Sequence, residues 1–236
     1  MYKEWSGEMK VLLVNGSPHQ KGCTYTALCE AAETLNQNGI DTDIFWIGKK
    51  PISGCIACKK CRGKGVCVFQ DTVNEFLDLA GDYDGFLFGT PVHWGAASGA
   101  MTSFMDRAFY ADLNGGGKRF YLKPAAAVIS ARRAGTTATW DQVNKYFALM
   151  QMPIISSRYW NIVHGENPEE VRRDLEGMQT MRILGRNMAF FLHCKDIGMK
   201  MGLQFPRQEE TTFTNFIPKT AIKFTNSLMK NVRKQG

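Results

Sequence analysis

Short apolar segments alternate with stretches of helical periodicity along most of this chain, and this order narrows the folds open to it. The first apolar segment, at 9–14, ends in the turn residues Asn15, Gly16, Ser17 and Pro18. Further strands are predicted at 40–47, 85–89 and 125–130, with a fifth at 154–155 or 160–163. Helices are predicted at 24–35, 72–79, 97–110, 137–150 and 168–193. This alternation indicates a doubly wound parallel sheet with helices on both faces.

The loops that follow the strands of such a sheet share one edge, and ligands bind there. In this chain those loops begin at Asn15, Gly48, Thr90 and Ser130. We expect one domain at 9–198, which includes a cysteine-bearing loop at 48–70. Short extensions are predicted on either side of it, at 1–8 and at 199–236, the second with an amphipathic helix at 219–232.

Four cysteines in the loop at 48–70 are the strongest chemical signal in the chain. The first three are separated by two residues each and the fourth follows after five more: Cys55, Cys58, Cys61 and Cys67. Two of the five intervening residues are glycines, which let the backbone fold back on itself. Thiolates at this spacing are typical ligands of iron–sulfur clusters. We therefore predict that these cysteines ligate a [4Fe-4S] cluster.

Two other states of the cysteines stay open at this point. A structural zinc site more often uses two separated Cys-x2-Cys pairs, and the thiols could also be free or redox-active. Disulfides are disfavoured, because the polar start at 1–8 has no signal-peptide core and the chain has only seven cysteines in 236 residues. We expect a cytoplasmic protein.

The turn after the first strand leads directly into a helix and carries Ser17, His19, Lys21 and Thr24. A helix N-terminus presents free backbone N–H groups and a partial positive charge, which suit a phosphate. The Gly-Lys-Ser/Thr ending of an ATP-binding loop and the Gly-x-Gly-x-x-Gly of a dinucleotide fold are both missing here. A mononucleotide phosphate fits the loop better, although a simple helix cap or a pterin ligand stays open.

The composition is that of an ordinary enzyme, with 44% hydrophobic and 22% charged residues. No apolar run approaches the ~20 residues that span a bilayer, so no membrane partner is expected. The formal charge of +7 suits an anionic partner, such as a phosphorylated cofactor or an acidic electron carrier. Because the basic residues are scattered except at 230–234, nucleic acid is not expected as a partner.

Several motifs occur together: the turn at 15–18 with Thr24, the cysteine run, Thr90-Pro91-Val92-His93-Trp94-Gly95, the segment 101–107 ending in Asp-Arg, the segment 130–136 and Gly177-Met178-Gln179-Thr180. In this combination the chain resembles the NADPH-dependent FMN reductases of the flavodoxin-like proteins, and particularly the iron–sulfur flavoproteins. The resemblance covers most of 9–195. It implies a five-stranded parallel sheet in the order 2-1-3-4-5.

The resemblance also implies FMN as a cofactor and assigns residues to it. The FMN phosphate would lie among Ser17, His19, Cys23 and Thr24. The ribityl chain and the isoalloxazine ring would contact Pro91, Val92, His93, Trp94 and Gly95. The pyrimidine side of the ring would lie near Ser130, Arg132, Arg133, Gly135 and Thr136. His19 and Cys23 stand where the family commonly has Arg and Asn.

The resemblance implies a flavin-dependent oxidoreductase that is a homodimer or homotetramer. Electrons would come from NAD(P)H or ferredoxin and would leave, through FMN and the cluster, to a small-molecule acceptor. One of Arg132 and Arg133 would stabilise the reduced flavin or hold the 2′-phosphate of NADPH. Two alternatives remain: an FMN or quinone reductase without a cluster, and a non-enzymatic flavodoxin-like module with structural zinc.

Overall fold

The computed structural model describes residues 9–210, 212 and 214 of the chain. The strands in this part of the chain are β1 Lys10–Asn15, β2 Asp41–Trp46, β3 Gly85–His93, β4 Ala96–Ala97, β5 Ala125–Ala131 and β6 Ile162–His164. The helices are α1 Cys23–Gln37, α2 Thr72–Ala80, α3 Gly99–Asn114, α4 Thr136–Leu149, α5 Pro168–Arg173 and α6 Leu175–Lys200. The predicted alternation of strands and helices is confirmed.

Five strands form one parallel sheet in the order β2-β1-β3-β5-β6, and the short β4 pairs antiparallel with the end of β3. With β5 and β6 as the fourth and fifth long strands, this is the predicted flavodoxin-like order. Strand β5 is buried along its whole length, as is almost all of β1, because helices cover both faces of the sheet. The ends of β1, β3 and β5 and the residues that follow them, at 15–22, 90–98 and 130–136, form one edge that we call the rim.

Each face of the sheet has its own apolar core. On one face α2, α3 and α4 pack around a group of phenylalanines that includes Phe76, Phe88 and Phe104. On the other face α1 and α6 bury Leu28 and Leu184 against the strands. Removing one of the buried rings would cost about 3–5 kcal/mol, so these cores fix the strands whose ends build the rim.

Two details of the predicted elements need correction. The helix predicted at 168–193 is two helices, because the backbone leaves the helical conformation at Asp174 and its carboxylate caps α6 by accepting the Gly177 N–H. Of the two positions predicted for the fifth strand, the second is right, although the strand is short and covers Ile162–His164. Ile154 forms only an isolated bridge to Ala125.

The chain divides into two compact units between Met201 and Gly202, and the first of these holds the sheet and all the helices named above. Helix α6 continues to Lys200, slightly past the predicted limit of the domain at 198. The extension predicted at 1–8 and the helix predicted at 219–232 lie outside the described residues. Within those residues, no helix combines the length and the apolar character that a membrane crossing requires.

Candidate functional site

Asn15, the last residue of β1, shapes the loop that follows it. Its buried side chain accepts a hydrogen bond from the Ser17 N–H at 3.1 Å and donates one to the Gln20 carbonyl at 2.9 Å. The Ser17 hydroxyl in turn accepts the His19 N–H at 3.1 Å. These bonds close the loop directly before α1, which begins after Gly22.

The helices differ in how their N-termini are capped. Within the described residues, four helices have a side-chain cap, formed by Asp71, Ser98, Asn167 and Asp174. Helices α1 and α4 instead begin after Gly22 and Gly135, and neither has a side-chain cap. Both of these N-termini lie at the rim. Their backbone N–H groups are open to a ligand, and at α1 a phosphate suits them best.

A cavity of about 510 Å³ opens beside the N-terminus of α1. Its lining includes the predicted His19 and Cys23, and also Lys21, Trp46, Lys49 and Asn167. The Trp46 Nε1–H donates to the Ser17 carbonyl at 2.8 Å and so fastens the end of β2 to the loop. Burial raises the pKa of the Cys23 thiol, which points to the Gly165 carbonyl at 3.6 Å. Trp46 was not among the site residues predicted from the sequence, although its place at the end of a strand on the same edge was an available signal.

The loops after β3 and β5 touch one another at the rim. A Cβ atom on Gly135 would lie 2.8 Å from both the Gly95 Cα and the Val92 Cγ1, so only glycine permits this approach. Trp94 has a left-handed backbone, with φ of 53°, and its side chain is fully exposed. Left-handed backbone at a bulky residue is strained and is often found at ligand sites. The turn therefore presents an unburied aromatic face beside the exposed Gly95.

Buried hydrogen bonds hold the rim segments together. The Thr24 and Ser130 hydroxyls lie 2.7 Å apart and join α1 to β5. The Gly16 N–H donates to the Gly89 carbonyl at 2.8 Å, and the Ser98 hydroxyl donates to the Gly16 carbonyl at 3.2 Å. Thr24 and Ser130 were predicted to contact the cofactor, and the structure gives both a second role inside the protein. The Ser17 turn and the Trp94 turn therefore lie on the same edge of the sheet.

The remaining predicted cofactor residues differ in exposure. His93, Arg132 and Arg133 are exposed, Pro91 is half-buried, and Thr136 is buried in the first turn of α4. Both arginines follow β5 and reach solvent at the rim. Which of them contacts a cofactor stays a prediction.

The four cysteines of the 48–70 loop converge on one small space, which we call the cysteine basket. They line it together with Arg107, Tyr110 and Ala111 of α3. Cys61 is buried, Cys67 is half-buried, and Cys55 and Cys58 are exposed. Burial raises the pKa of the Cys61 thiol, and the three neighbouring thiols raise it further. The sequence spacing thus predicted a set of side chains that the fold brings together.

The backbone of the basket is strained between the cysteines. Ala57 and Lys59 both have left-handed backbones, with φ of 52° and 61°. Each costs about 1–2 kcal/mol relative to an ordinary conformation. Strained backbone of this kind is often found at ligand sites.

Zinc and a four-iron cluster place different demands on the thiolates that bind them. Among the described residues, no three His, Cys, Asp or Glu side chains form a group that could hold one metal ion. A zinc ion with Zn–S bonds of about 2.3 Å needs its thiolates roughly 3.8 Å apart. A four-iron cluster takes one thiolate on each iron and so accepts ligands that are further apart.

Cys67 is held from two sides. Asn74 accepts the Cys67 N–H at 2.8 Å and donates to the Cys67 carbonyl at 2.9 Å. From α3, the buried Arg107 points its Nε–H at the Cys67 Sγ, 3.2 Å away. The same guanidinium makes two hydrogen bonds with the Asp71 carboxylate, at 2.7 and 2.9 Å. No sequence signal predicts these contacts, because the residues belong to separate elements.

The basket lies along α3 and is set back from the rim. Helix α3 starts at the rim with Gly99, and Arg107 follows eight residues later, roughly 12 Å along the helix axis. Further along the loop, the Gly63 N–H donates to the Asn114 carbonyl at the end of α3, at 2.8 Å. The loop after β2 therefore carries its cysteines down the flank of this helix.

Comparison with known proteins identifies the family of this chain. Residues 9–167 match the family described as NADPH-dependent FMN reductase. This chain belongs to that family. The predicted resemblance is therefore confirmed, and this FMN reductase family member is a flavin-dependent oxidoreductase.

Curated relatives agree with the family assignment. An iron–sulfur flavoprotein of Methanocaldococcus jannaschii is 30% identical over 186 residues, which cover 77% of this chain and 96% of the relative. Among solved structures, RosB with bound 8-demethyl-8-formylriboflavin-5′-phosphate has a TM-score of 0.63 at 14% identity, and the match covers 89% of this family member and 97% of RosB. An archaeal flavodoxin has a TM-score of 0.53 at 13% identity, with 78% and 99% covered. At these identities, the solved structures support the fold alone.

Proposed function

We propose that this oxidoreductase binds FMN at the rim and a [4Fe-4S] cluster in the cysteine basket. It passes electrons between a reduced nicotinamide or ferredoxin donor and a small-molecule acceptor. When bound, FMN exchanges a hydride or single electrons and the cluster exchanges one electron at a time, so the pair links two-electron to one-electron chemistry. The convergence of four cysteines on one space, beside a flavodoxin-like rim, is the observation that carries the proposal.

At the rim, the protein would bind and orient the flavin mainly with its backbone. The uncapped N–H groups of α1 would hold the phosphate, with Ser17, His19 and Cys23 around it. The exposed Trp94 would cover one face of the ring, and Gly95 and Gly135 would let backbone N–H groups approach the ring edge. Arg132 or Arg133 would place a positive charge by the pyrimidine, where it stabilises the reduced flavin.

The four cysteines fit the group assigned to them. Their side chains share one enclosure, the backbone between them is strained, and Asn74 and Arg107 fix one of them in place. The name of the curated relative in Methanocaldococcus, an iron–sulfur flavoprotein, supports the same assignment. The protein would hold the cluster beside α3, at the flavin of the same or a neighbouring subunit.

The donor and the assembly are further parts of the proposal. The family name points to NADPH as a donor, with ferredoxin as the alternative. A homodimer or homotetramer is expected from the family resemblance. Anaerobic turnover with each donor, together with the mass of the purified protein in solution, tests these parts separately from the cofactors.

The cofactors are tested by anaerobic purification of the full chain, followed by an absorption spectrum and by flavin, iron, sulfide and zinc analysis. We expect one FMN, four irons and four sulfides for each chain. Flavin without iron would leave an FMN or quinone reductase without a cluster. Equimolar zinc without flavin, and no oxidation of NAD(P)H, would instead indicate the non-enzymatic module.

A further inference from the structure

Arg107 is a buried cation that contacts both a cysteine of the basket and a carboxylate. Its side chain has no exposed surface, whereas that of Asp71 is 33% exposed. Two guanidinium nitrogens bind the Asp71 carboxylate, and the third, Nε, points at the Cys67 sulfur at 3.2 Å. The guanidinium thus binds the carboxylate with its two terminal nitrogens and directs its Nε–H to the sulfur.

Further contacts leave the guanidinium little freedom. It donates to the Ser53 carbonyl at 3.3 Å and to the Phe69 carbonyl at 3.4 Å, and it lies 4.9 Å from the centre of the Phe69 ring. Ser53 and Phe69 flank the cysteine run on either side. Arg107 therefore ties both ends of the loop to α3 while it directs one N–H to sulfur.

We infer that Arg107 is a positioning residue that raises the reduction potential of the cluster through its Nε–H···Sγ hydrogen bond to Cys67. The inference rests on the proposed function, since it needs a cluster in the basket. Four cysteines would supply sulfur ligands, but within residues 9–210 only the Cys67 thiol receives a hydrogen bond from a buried side-chain cation. Cys67 would thus be the ligand whose charge the protein controls most directly.

The direction of the effect follows from charge. One-electron reduction adds one negative charge to the cluster and its thiolates and breaks no bond; the electron comes from the reduced nicotinamide or ferredoxin donor. A hydrogen bond from a cation to sulfur stabilises that added charge, and such bonds help to set cluster potentials. Asp71 offsets the guanidinium charge at longer range, so the effect is local to the bond with Cys67.

The test is a potentiometric titration of the cluster, followed by its EPR signal, in wild type and three variants. Arg107→Lys keeps a cation for Asp71 but lacks the Nε donor. We expect its potential to fall by at least the equivalent of a tenfold change in the reduction equilibrium, about 59 mV for one electron. Asp71→Asn keeps a residue that caps α2 but removes the offsetting charge, so its potential should rise.

Arg119→Lys is the matched control. Arg119 also pairs with an acid, in this case the buried Asp112, and binds the same loop at the Gly65 carbonyl, but its hydrogen bonds go to oxygen atoms. We expect its cluster potential to equal that of wild type. Shifts of opposite sign in the first two variants, with none in this control, would not arise from loosening of the loop alone. An unchanged potential in Arg107→Lys, or a fall in Asp71→Asn, overturns the inference.

A measurement on the unaltered protein decides the question if the variants lose their cluster. Wild-type protein labelled with ¹⁵N-arginine is reduced with dithionite and studied by pulsed EPR. We expect a ¹⁵N coupling from arginine that takes the place of the ¹⁴N coupling seen with unlabelled arginine. A normal iron content without this coupling overturns the role of Arg107 alone. A wild-type protein that contains no iron overturns the proposed cluster, and this inference with it.

Discussion

The rim and the cysteine basket are stabilised in different ways. At the rim, buried hydrogen bonds such as Thr24 to Ser130 join segments that begin in the apolar core. In the basket loop, residues 53–60 are all exposed, and two of them have strained backbones. The rim is therefore built by the core of the fold, whereas the loop depends on a few anchors on α2 and α3 and on the cluster that we propose it holds. Because metal binding and folding are coupled, emptying the basket should disorder the loop and leave the rim intact.

Loss of a cluster ligand should have the largest effect and should be confined to one region. We expect Cys67→Ala to lose nearly all iron and sulfide while it keeps FMN, since the rim does not rest on the basket. Cys194→Ala, at an exposed cysteine on α6, is the control and should keep both cofactors. Iron, sulfide and flavin analysis after anaerobic purification measures the outcome. Loss of FMN together with iron would show that the two regions are not independent.

Removal of the Asn74 side chain should weaken the basket without emptying it. Asn74→Ala loses both bonds to the Cys67 backbone, and partners that orient a metal ligand are typically worth roughly 10–100-fold in metal affinity. The rate of iron release to a chelator measures this loss. Asn144→Ala is the control, because the buried Asn144 amide has no hydrogen-bond partner among the residues that the structure describes. Equal rates of release in both variants would contradict the role of Asn74.

A substitution at Gly135 should affect the rim alone. Gly135→Ala would place a Cβ against the Gly95 backbone and strain a left-handed residue, with φ of 88°. At about 1–2 kcal/mol of strain, we expect FMN to bind roughly tenfold more weakly, with unchanged iron content. Gly117→Ala is the control, since Gly117 is also left-handed but faces open space. Flavin titration of the apoprotein tests this, and equal affinities in the two variants would be the contrary result.

The smallest effect is expected at Trp46. Trp46→Phe removes the hydrogen bond to the Ser17 carbonyl, worth about 1 kcal/mol, and should weaken FMN binding roughly fivefold. Trp140→Phe is the control, because the buried Trp140 Nε1 makes no hydrogen bond to any other described part of the chain. The same flavin titration compares the two variants. If both bind FMN as tightly as wild type does, Trp46 does not shape the phosphate loop.

Features that depend on residues close together in the sequence could be predicted, whereas contacts between residues far apart in the sequence could not. Strands β1 and β5 were predictable, because buried parallel strands are continuous apolar runs. The convergence of the four cysteines was predictable because they lie close together in the chain. The break at Asp174 was not, since apolar residues continue across it at helical spacing. There the carboxylate caps α6 and also accepts the His164 N–H of β6 at 2.7 Å, a contact that exists only in the folded protein.

The range of the contacts also explains why Trp46, Asn74 and Arg107 were not predicted. Trp46 and Asn74 act on residues with which they share no local motif, and Arg107 reaches Cys67 across forty positions of sequence. Contacts of this kind depend on how α2 and α3 pack on the sheet. Sequence spacing therefore predicted which cysteines come together, and only the fold revealed the side chains that hold them.

Diffraction at the iron absorption edge, on crystals of the anaerobic protein with its flavin, tests the separation of the two centres most directly. We predict an iron peak of cluster size inside the basket, against α3 next to Cys67, and flavin density at the rim with its phosphate at the N-terminus of α1. A single-metal peak among the cysteines, or a flavin bound away from the rim, would contradict this arrangement.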